Sequence, residues 1–187
     1  MKHIIHKVFF IWQYEKEEKW LNEMAAKGLH LTDVGFFRYV FEEGTPGAYQ
    51  YSLQMLPNSV NHPESRKYIE FMEETGAEHV GTMKRWVYFR RPESDAPFEI
   101  WSDIDNKIKH MESIYRLSGI LAGVCVTAGV ANLSIGLSAD NFYASYNLGM
   151  AVLCLIFGLF IAFGTGRMTK PLKKLKAERK LSEYEMR

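Results

Sequence analysis

The stretch Glu15-Lys-Glu-Glu18 is the densest cluster of carboxylates in this 187-residue chain. Carboxylates within one helical turn could bind a metal ion or move a proton. Interleaved lysines in the first turn of a helix support another reading, a solvated face in which acids favour the positive end of the helix dipole. A third reading takes Glu18 and the run Trp20-Leu21-Asn22-Glu23 as a surface that recognises another protein. His30, His62 and His79 are too dispersed to claim zinc, which needs three or four convergent ligands. Arg38, Arg90 and Arg91 could hold an anionic ligand, but pairing with the acidic helices is the expectation. The sequence has no glycine-rich phosphate loop, Ser/His/Asp triad or nucleophile elbow. We therefore expect no enzyme activity, no cofactor and no metal. The candidate partner-binding residues are Glu18, Asn22, Arg38, Gln50 and Gln54.

The elements that must position these residues fall into two parts of opposite charge. Residues 1–105 hold 12 Lys/Arg against 17 Asp/Glu, a net of −5, and residues 106–187 hold 11 against 5, a net of +6. An acidic domain argues against nucleic acid as a partner, because phosphate backbones are held by basic faces. Both cysteines, Cys125 and Cys154, lie in the second part, so the first has neither a disulfide framework nor a thiolate zinc site. The apolar core before Gln13 is too short for a signal peptide.

Periodicity orders residues 1–105. His3–Trp12 is a β-rich run. Tyr14–Lys27 is a helix with Trp20, Leu21, Met24 and Ala25 on one face, ended by Gly28 at C′. His30–Glu42 reads as a strand, Glu43–Gly47 as a turn and Ala48–Leu56 as the partner strand. Pro63–Thr75 is a second helix closed by Gly76, and Ala77–Arg90 contains a final strand. Phe98, Ile100 and Trp101 add a short edge strand or lead onward. The order β-α-β-β-α-β is the ferredoxin-like arrangement, an α+β fold with one four-stranded sheet and two helices on one face. The sheet's other face would be open to a partner or ligand unless the segment around Trp101 or a second copy covers it.

The stretch from Trp12 to Gly28, with Glu15-Lys-Glu-Glu-Lys-Trp-Leu-Asn-Glu-Met-Ala-Ala-Lys-Gly28 at its centre, resembles the signature of a family of unknown function. Its members are bacterial, mostly Gram-positive, membrane proteins often encoded beside PadR-like transcription regulators. Phe41-Glu-Glu-Gly44, Tyr49-Gln-Tyr51, the Tyr68–Gly76 helix, Trp86–Arg90 and Phe98–Asp103 resemble it in the same order. The resemblance implies a cytoplasmic sensory or regulatory domain tethered by membrane helices. It carries over no catalytic residues.

A juxtamembrane linker over 106–116 precedes two apolar runs without charge. Leu117–Leu137 is about the 20 residues that span a bilayer, and Tyr146–Phe163 reaches that length through Gly164–Gly166. They predict transmembrane helices over 117–137 and 146–166, an external loop over 138–145 and a basic tail over 167–187. Lys107, Lys109 and Arg116 precede the spans, and Arg167, Lys170, Lys173, Lys174 and Lys176 follow them. The loop has only Asp140, so both termini are expected in the cytoplasm of a two-pass cell-membrane protein. Phe142, Tyr143 and Tyr146 fit an outer aromatic anchor. Asn132, the one strongly polar side chain in a span, is expected to bond the neighbouring helix. Gly119, Gly123, Thr127 and Ala131 recur every fourth residue, as do Cys154, Gly158, Ala162 and Gly166. Such small faces close a tight hairpin or form the seam of a homodimer. The tail reads as a short basic helix that lies on anionic lipid or only sets topology.

Three functions follow. The first is a non-enzymatic regulator or adaptor that holds a cytoplasmic partner at the membrane, in a setting such as the cell-envelope stress response. The second is an accessory subunit of a membrane transporter. The third is a small-molecule sensor with its ligand on the aromatic sheet face.

Overall fold

The computed structural model describes residues 1–94, 98, 104–138 and 142–185. Ile100, Trp101 and Asp140 lie outside the described residues. The chain divides into two compact units, Met1–Asp103 and Ile104–Arg187.

The first unit is mixed α+β, with element order β1 (Lys2–His6), α1 (Tyr14–Ala26), β2 (Leu29–Gly35), β3 (Arg38–Glu43), β4 (Tyr49–Met55), α2 (Pro63–Glu74), β5 (Glu78–Met83) and β6 (Trp86–Pro92). A short 3-10 turn, Ile11–Gln13, leads into α1. Each helix ends as the sequence predicts. Gly28 (φ +80°) and Gly76 (φ +89°) take the left-handed conformation at C′, which glycine adopts without strain.

The strands depart from the ferredoxin-like expectation. Two three-stranded antiparallel sheets form, ordered β1-β3-β2 and β4-β6-β5, in place of one sheet of four. The expected strand over His30–Glu42 is a hairpin of β2 and β3, and the expected strand over Ala77–Arg90 is a hairpin of β5 and β6. Both turn in two residues, Phe36-Phe37 and Lys84-Arg85, with φ +58° at Phe37 and +57° at Lys84. Such turns normally announce themselves with Asn, Asp or Gly, and neither does.

The two sheets are repeats of one β-α-β-β plan. His30 faces Glu42 and Leu31 faces Phe41 in the first, as Glu78 faces Arg90 and His79 faces Phe89 in the second. Each register then slips by one residue at the equivalent place, at Thr32 and at Val80. The repeats are packed into a single body. Leu21, Met24 and Ala25 of α1 join Leu31, Tyr39 and Phe41 of the first sheet and Tyr51, Leu53 and Tyr88 of the second in one core. The opposite face of the second sheet, with Val87 and Phe89, packs against Ile69 and Met72 of α2.

The second unit comprises α3 (Ile104–Ser138), α4 (Phe142–Arg167) and α5 (Thr169–Glu185). Two of its helical stretches, Ile104–Ser138 and Tyr143–Leu181, are long and apolar enough to cross a membrane. Their large apolar side chains point outward, with Leu137 at 73% and Phe163 at 67% exposure. That is a poor surface for water and a good one for hydrocarbon. At 35 residues α3 is about 52 Å long, more than the roughly 30 Å of a hydrocarbon core. Its first turns bury Ile108, Met111 and Ile114. There Lys176 Nζ of α5 meets Glu112 at 2.6 Å and Arg179 meets Asp105 at 3.1 Å. The basic tail is thus a helix, as expected, and part of its charge pairs with α3.

Candidate functional site

The carboxylates of the Glu15–Glu18 cluster do not form one solvated face. Glu17 lies one turn before Leu21 on the buried stripe of α1 and is 7% exposed. Its Oε1 accepts hydrogen bonds from Tyr39 Oη (2.7 Å) and Tyr88 Oη (2.6 Å). Tyr39 belongs to the first repeat and Tyr88 to the second. Burial raises the Glu17 pKa, and the two tyrosine hydroxyls only partly offset it. Burial and the adjacent carboxylate together push both tyrosines well above the ordinary phenol value.

Glu18 and Asn22 turn toward β4. Glu18 Oε2 accepts from Ser52 Oγ (2.8 Å) and from the Leu53 backbone N–H (2.9 Å). The Asn22 amide accepts from Tyr51 N–H (2.8 Å) and donates to Tyr51 C=O (3.0 Å). β4 is an edge strand, and these side chains satisfy backbone groups that a neighbouring strand would otherwise take. Gln54 is also turned inward and accepts from Tyr68 Oη. Three of the five expected partner-binding residues, Glu18, Asn22 and Gln54, are therefore engaged inside the fold. Asn22→Ala should cost about 1–3 kcal/mol, because it leaves a backbone pair on β4 without its partner. Denaturant unfolding of the full chain in detergent checks this.

Of the other two, Arg38 lies at the surface and Gln50 is half-buried. Arg38 Nη2 pairs with Asp33 at 2.6 Å, and Gln50 Nε2 donates to Glu93 at 2.7 Å. Arg90 makes a two-pronged pair with Glu78 (2.8 and 2.6 Å) and covers the Tyr49 ring at 4.4 Å. The Arg91 guanidinium lies over the Phe98 ring at 4.7 Å. Arg38 and Arg90 thus pair with acids, but with Asp33 of β2 and Glu78 of β5 and not with the acidic helices that the sequence suggested. The histidines stay apart. His30 is buried against Tyr49, His62 caps α2 and His79 bonds Thr82. Among the described residues no group of three or more His, Cys, Asp or Glu could hold a metal ion.

Sequence reasoning missed the outer edge of β1. Glu43 N–H donates to Met1 C=O and Lys7 N–H donates to Phe37 C=O, both at 3.2 Å. The odd-numbered residues therefore face β3, and the backbone groups of Lys2, Ile4 and His6 point away from it. Among the described residues no strand pairs with that side. Ile4 itself is 58% exposed. The signal available was the alternation Lys2-His-Ile-Ile-His6, whose outward positions are a lysine and a histidine around one apolar residue.

In the second unit the two small-residue stripes divide. Gly158 of α4 packs on the Val126 backbone, where an added Cβ would come within 3.1 Å of the nitrogen. Gly129 and Gly136 of α3 meet Leu155 and Leu148 equally closely. Gly119 and Gly123 meet nothing within 4 Å, nor does Gly166 of α4, and Thr127, Ala131 and Ala162 are exposed, with Cys154 half-buried. The helices cross along Ser118, Ala122, Gly129 and Gly136 of α3, a seam near the seven-residue period of helices crossing at about 20°. A strict four-residue stripe drifts off such a seam. Asn132 also differs from expectation: its Nδ2 donates to Ala128 C=O in its own helix at 2.8 Å. Tyr143 and Tyr146 are exposed, as interfacial anchors would be.

A mixed α+β unit followed by two helices long and apolar enough to cross a membrane defines the class of the protein. The chain belongs to the DUF2812 family of proteins of unknown function, whose model matches residues 13–122. That match runs from the residue before α1 into the middle of α3 and so includes the Glu17, Glu18 and Asn22 contacts. No curated protein and no solved structure matches the chain.

Proposed function

We propose that the protein is a membrane-held, non-enzymatic adaptor whose first unit captures an extended segment of a soluble partner along β1. The observation that carries this reading is the outward row of backbone N–H and C=O groups at Lys2, Ile4 and His6. Adding a strand to an open sheet edge draws affinity from backbone hydrogen bonds and specificity from alternate side chains. The exposed Ile4 offers the apolar contact, and Lys2 and His6 keep the edge from pairing with copies of itself. The other three edge strands are occupied: β4 bonds to α1 side chains, and β2 lies against β5.

The resemblance to Gram-positive membrane proteins encoded beside PadR-like regulators supports a soluble transcription regulator as the partner class. The lysine and arginine bias around the apolar helices supports a cell-membrane protein with both termini in the cytoplasm, where such a regulator resides. Holding it there would withdraw it from its target, a simple output for an envelope-stress response.

Ile4→Pro tests the reading. Proline removes an outward N–H and keeps the bonds to β3, and edge strands tolerate it. Mild-detergent purification of the tagged full-length chain from its native cell should recover the partner in near-equal amount. Ile4→Pro should abolish recovery and leave the melting temperature unchanged. Equal recovery by both chains would sink the reading.

A further inference from the structure

We propose that the hairpin tip Phe36-Phe37 is an interfacial anchor that seats the first unit on an anionic lipid surface. The two rings lie 4.0 Å apart, and Phe36 is 69% and Phe37 40% exposed. Phe37 holds φ +58°, a conformation bulky residues rarely adopt. Glycine or asparagine would make this turn with less strain, so the phenylalanine serves something other than the turn.

The surroundings identify that role. Val34 of β2 meets Gly81 of β5, and Arg90, paired with Glu78, reaches Leu31 C=O at 3.4 Å. Positions 31 and 34 thus lie beside 78 and 81, so β2 and β5 run in the same direction. The second hairpin tip, Lys84-Arg85, therefore lies at the same end as Phe36-Phe37. Lys84 is exposed there, and Arg38 follows Phe37 directly. Lys7 bonds Phe37 through its backbone, and Val8 beside it is 49% exposed. Asp33, the partner of Arg38, is the acid of these two hairpins near this end. Glu42, Glu43, Glu78 and Glu93 lie at the opposite end of the strands.

An apolar wedge flanked by Arg38 and Lys84, with the carboxylates Glu42, Glu43, Glu78 and Glu93 at the far end and Asp33, Glu15 and Glu64 the acids toward the near end, is complementary to an anionic leaflet. Aromatic rings favour the headgroup region, where lysine and arginine reach phosphate. The same chain carries helices long and apolar enough to cross a bilayer, so even a weak anchor acts at high effective concentration.

The test uses the full-length chain in nanodiscs, with Cys125→Ala and Cys154→Ala as background. A nitrobenzoxadiazole label at Phe36→Cys should shift to the blue and be quenched by doxyl lipid in phosphatidylglycerol discs. Quenching should fall in phosphatidylcholine discs and again with Lys84→Glu. The same label at Glu43→Cys should stay water-like. Phe37→Gly, scored with the label at position 36, should raise the melting temperature and weaken quenching together. A water-like label at position 36 in both lipids overturns the proposal. A blue shift without doxyl quenching also overturns it, since it marks a protein neighbour. Equal quenching in the two lipids overturns the anionic assignment.

Discussion

Glu17→Leu is expected to destabilise the first unit by about 2–4 kcal/mol, the penalty of removing the carboxylate that accepts from two buried hydroxyls. Tyr39 and Tyr88 both donate to the same carboxylate oxygen, so one substitution removes the acceptor they share, leaves them only each other and loosens the join between the repeats. Glu17→Gln keeps an acceptor oxygen in place and should cost no more than about 1 kcal/mol at pH 7. The pair also separates in pH dependence. Glu17 binds its proton more tightly in the folded chain than in the unfolded one, because burial disfavours the charge. Below the ordinary carboxylate value of 4.5 both states are protonated, and the full contribution is present. As pH rises the unfolded chain releases its proton first, so stability falls through the window up to the raised folded value and then levels off. Glu17→Gln should flatten that fall. Denaturant unfolding followed by tryptophan fluorescence across pH 4–8 reads both effects, and an unchanged slope in Glu17→Gln would assign the pH dependence elsewhere.

The second large effect lies in the apolar helices. Gly158→Ile should separate α3 from α4, because its Cβ meets the Val126 backbone, which cannot yield as a flexible side chain would. Overpacking of this kind costs about 1–3 kcal/mol or more. Gly123→Ile adds a larger side chain to a similar stripe yet meets open space, so it should leave thermal unfolding in detergent within about 0.5 kcal/mol of the parent. If the two variants melt alike, the seam lies elsewhere.

These two cases show what the sequence discloses and what it withholds. Both helices of the first unit were legible from the Leu21, Met24 and Ala25 stripe and from Ile69 and Met72, with Gly28 and Gly76 marking their ends. The strand at β4 and the two long apolar helices were equally plain, though the burial of the polar positions Ser52 and Gln54 against Glu18 and Tyr68 was not. The hairpins were hidden because Phe36-Phe37 and Lys84-Arg85 continue the strand pattern through the turn and carry no turn-forming residue. Glu17 was hidden by its neighbours: among Glu15, Lys16, Glu18 and Lys19 it resembles one more solvated charge. Only its spacing of four from Leu21 sets it on the buried side. The small-residue stripes misled for a geometric reason. Each step of four overshoots a full turn of a 3.6-residue helix by about 40°, so such a stripe winds off the seam, whereas crossing helices keep an average step near 3.5.

The repeated plan of the first unit also constrains the order in which it can form. The hairpin pairings β2-β3 and β5-β6 join residues close in sequence, so they close cheaply and early, whereas β1 with β3 and β4 with β6 must bridge the helix between them. The Glu17–Tyr88 bond joins residues 71 apart, and the Asn22–Tyr51 bond joins residues 29 apart. During synthesis α1 leaves the ribosome with its carboxylates and amide still bound to water, and Glu17 gains its second hydroxyl only when β6 emerges. Burial of that carboxylate is therefore a late kinetic event that reports completion of the whole unit.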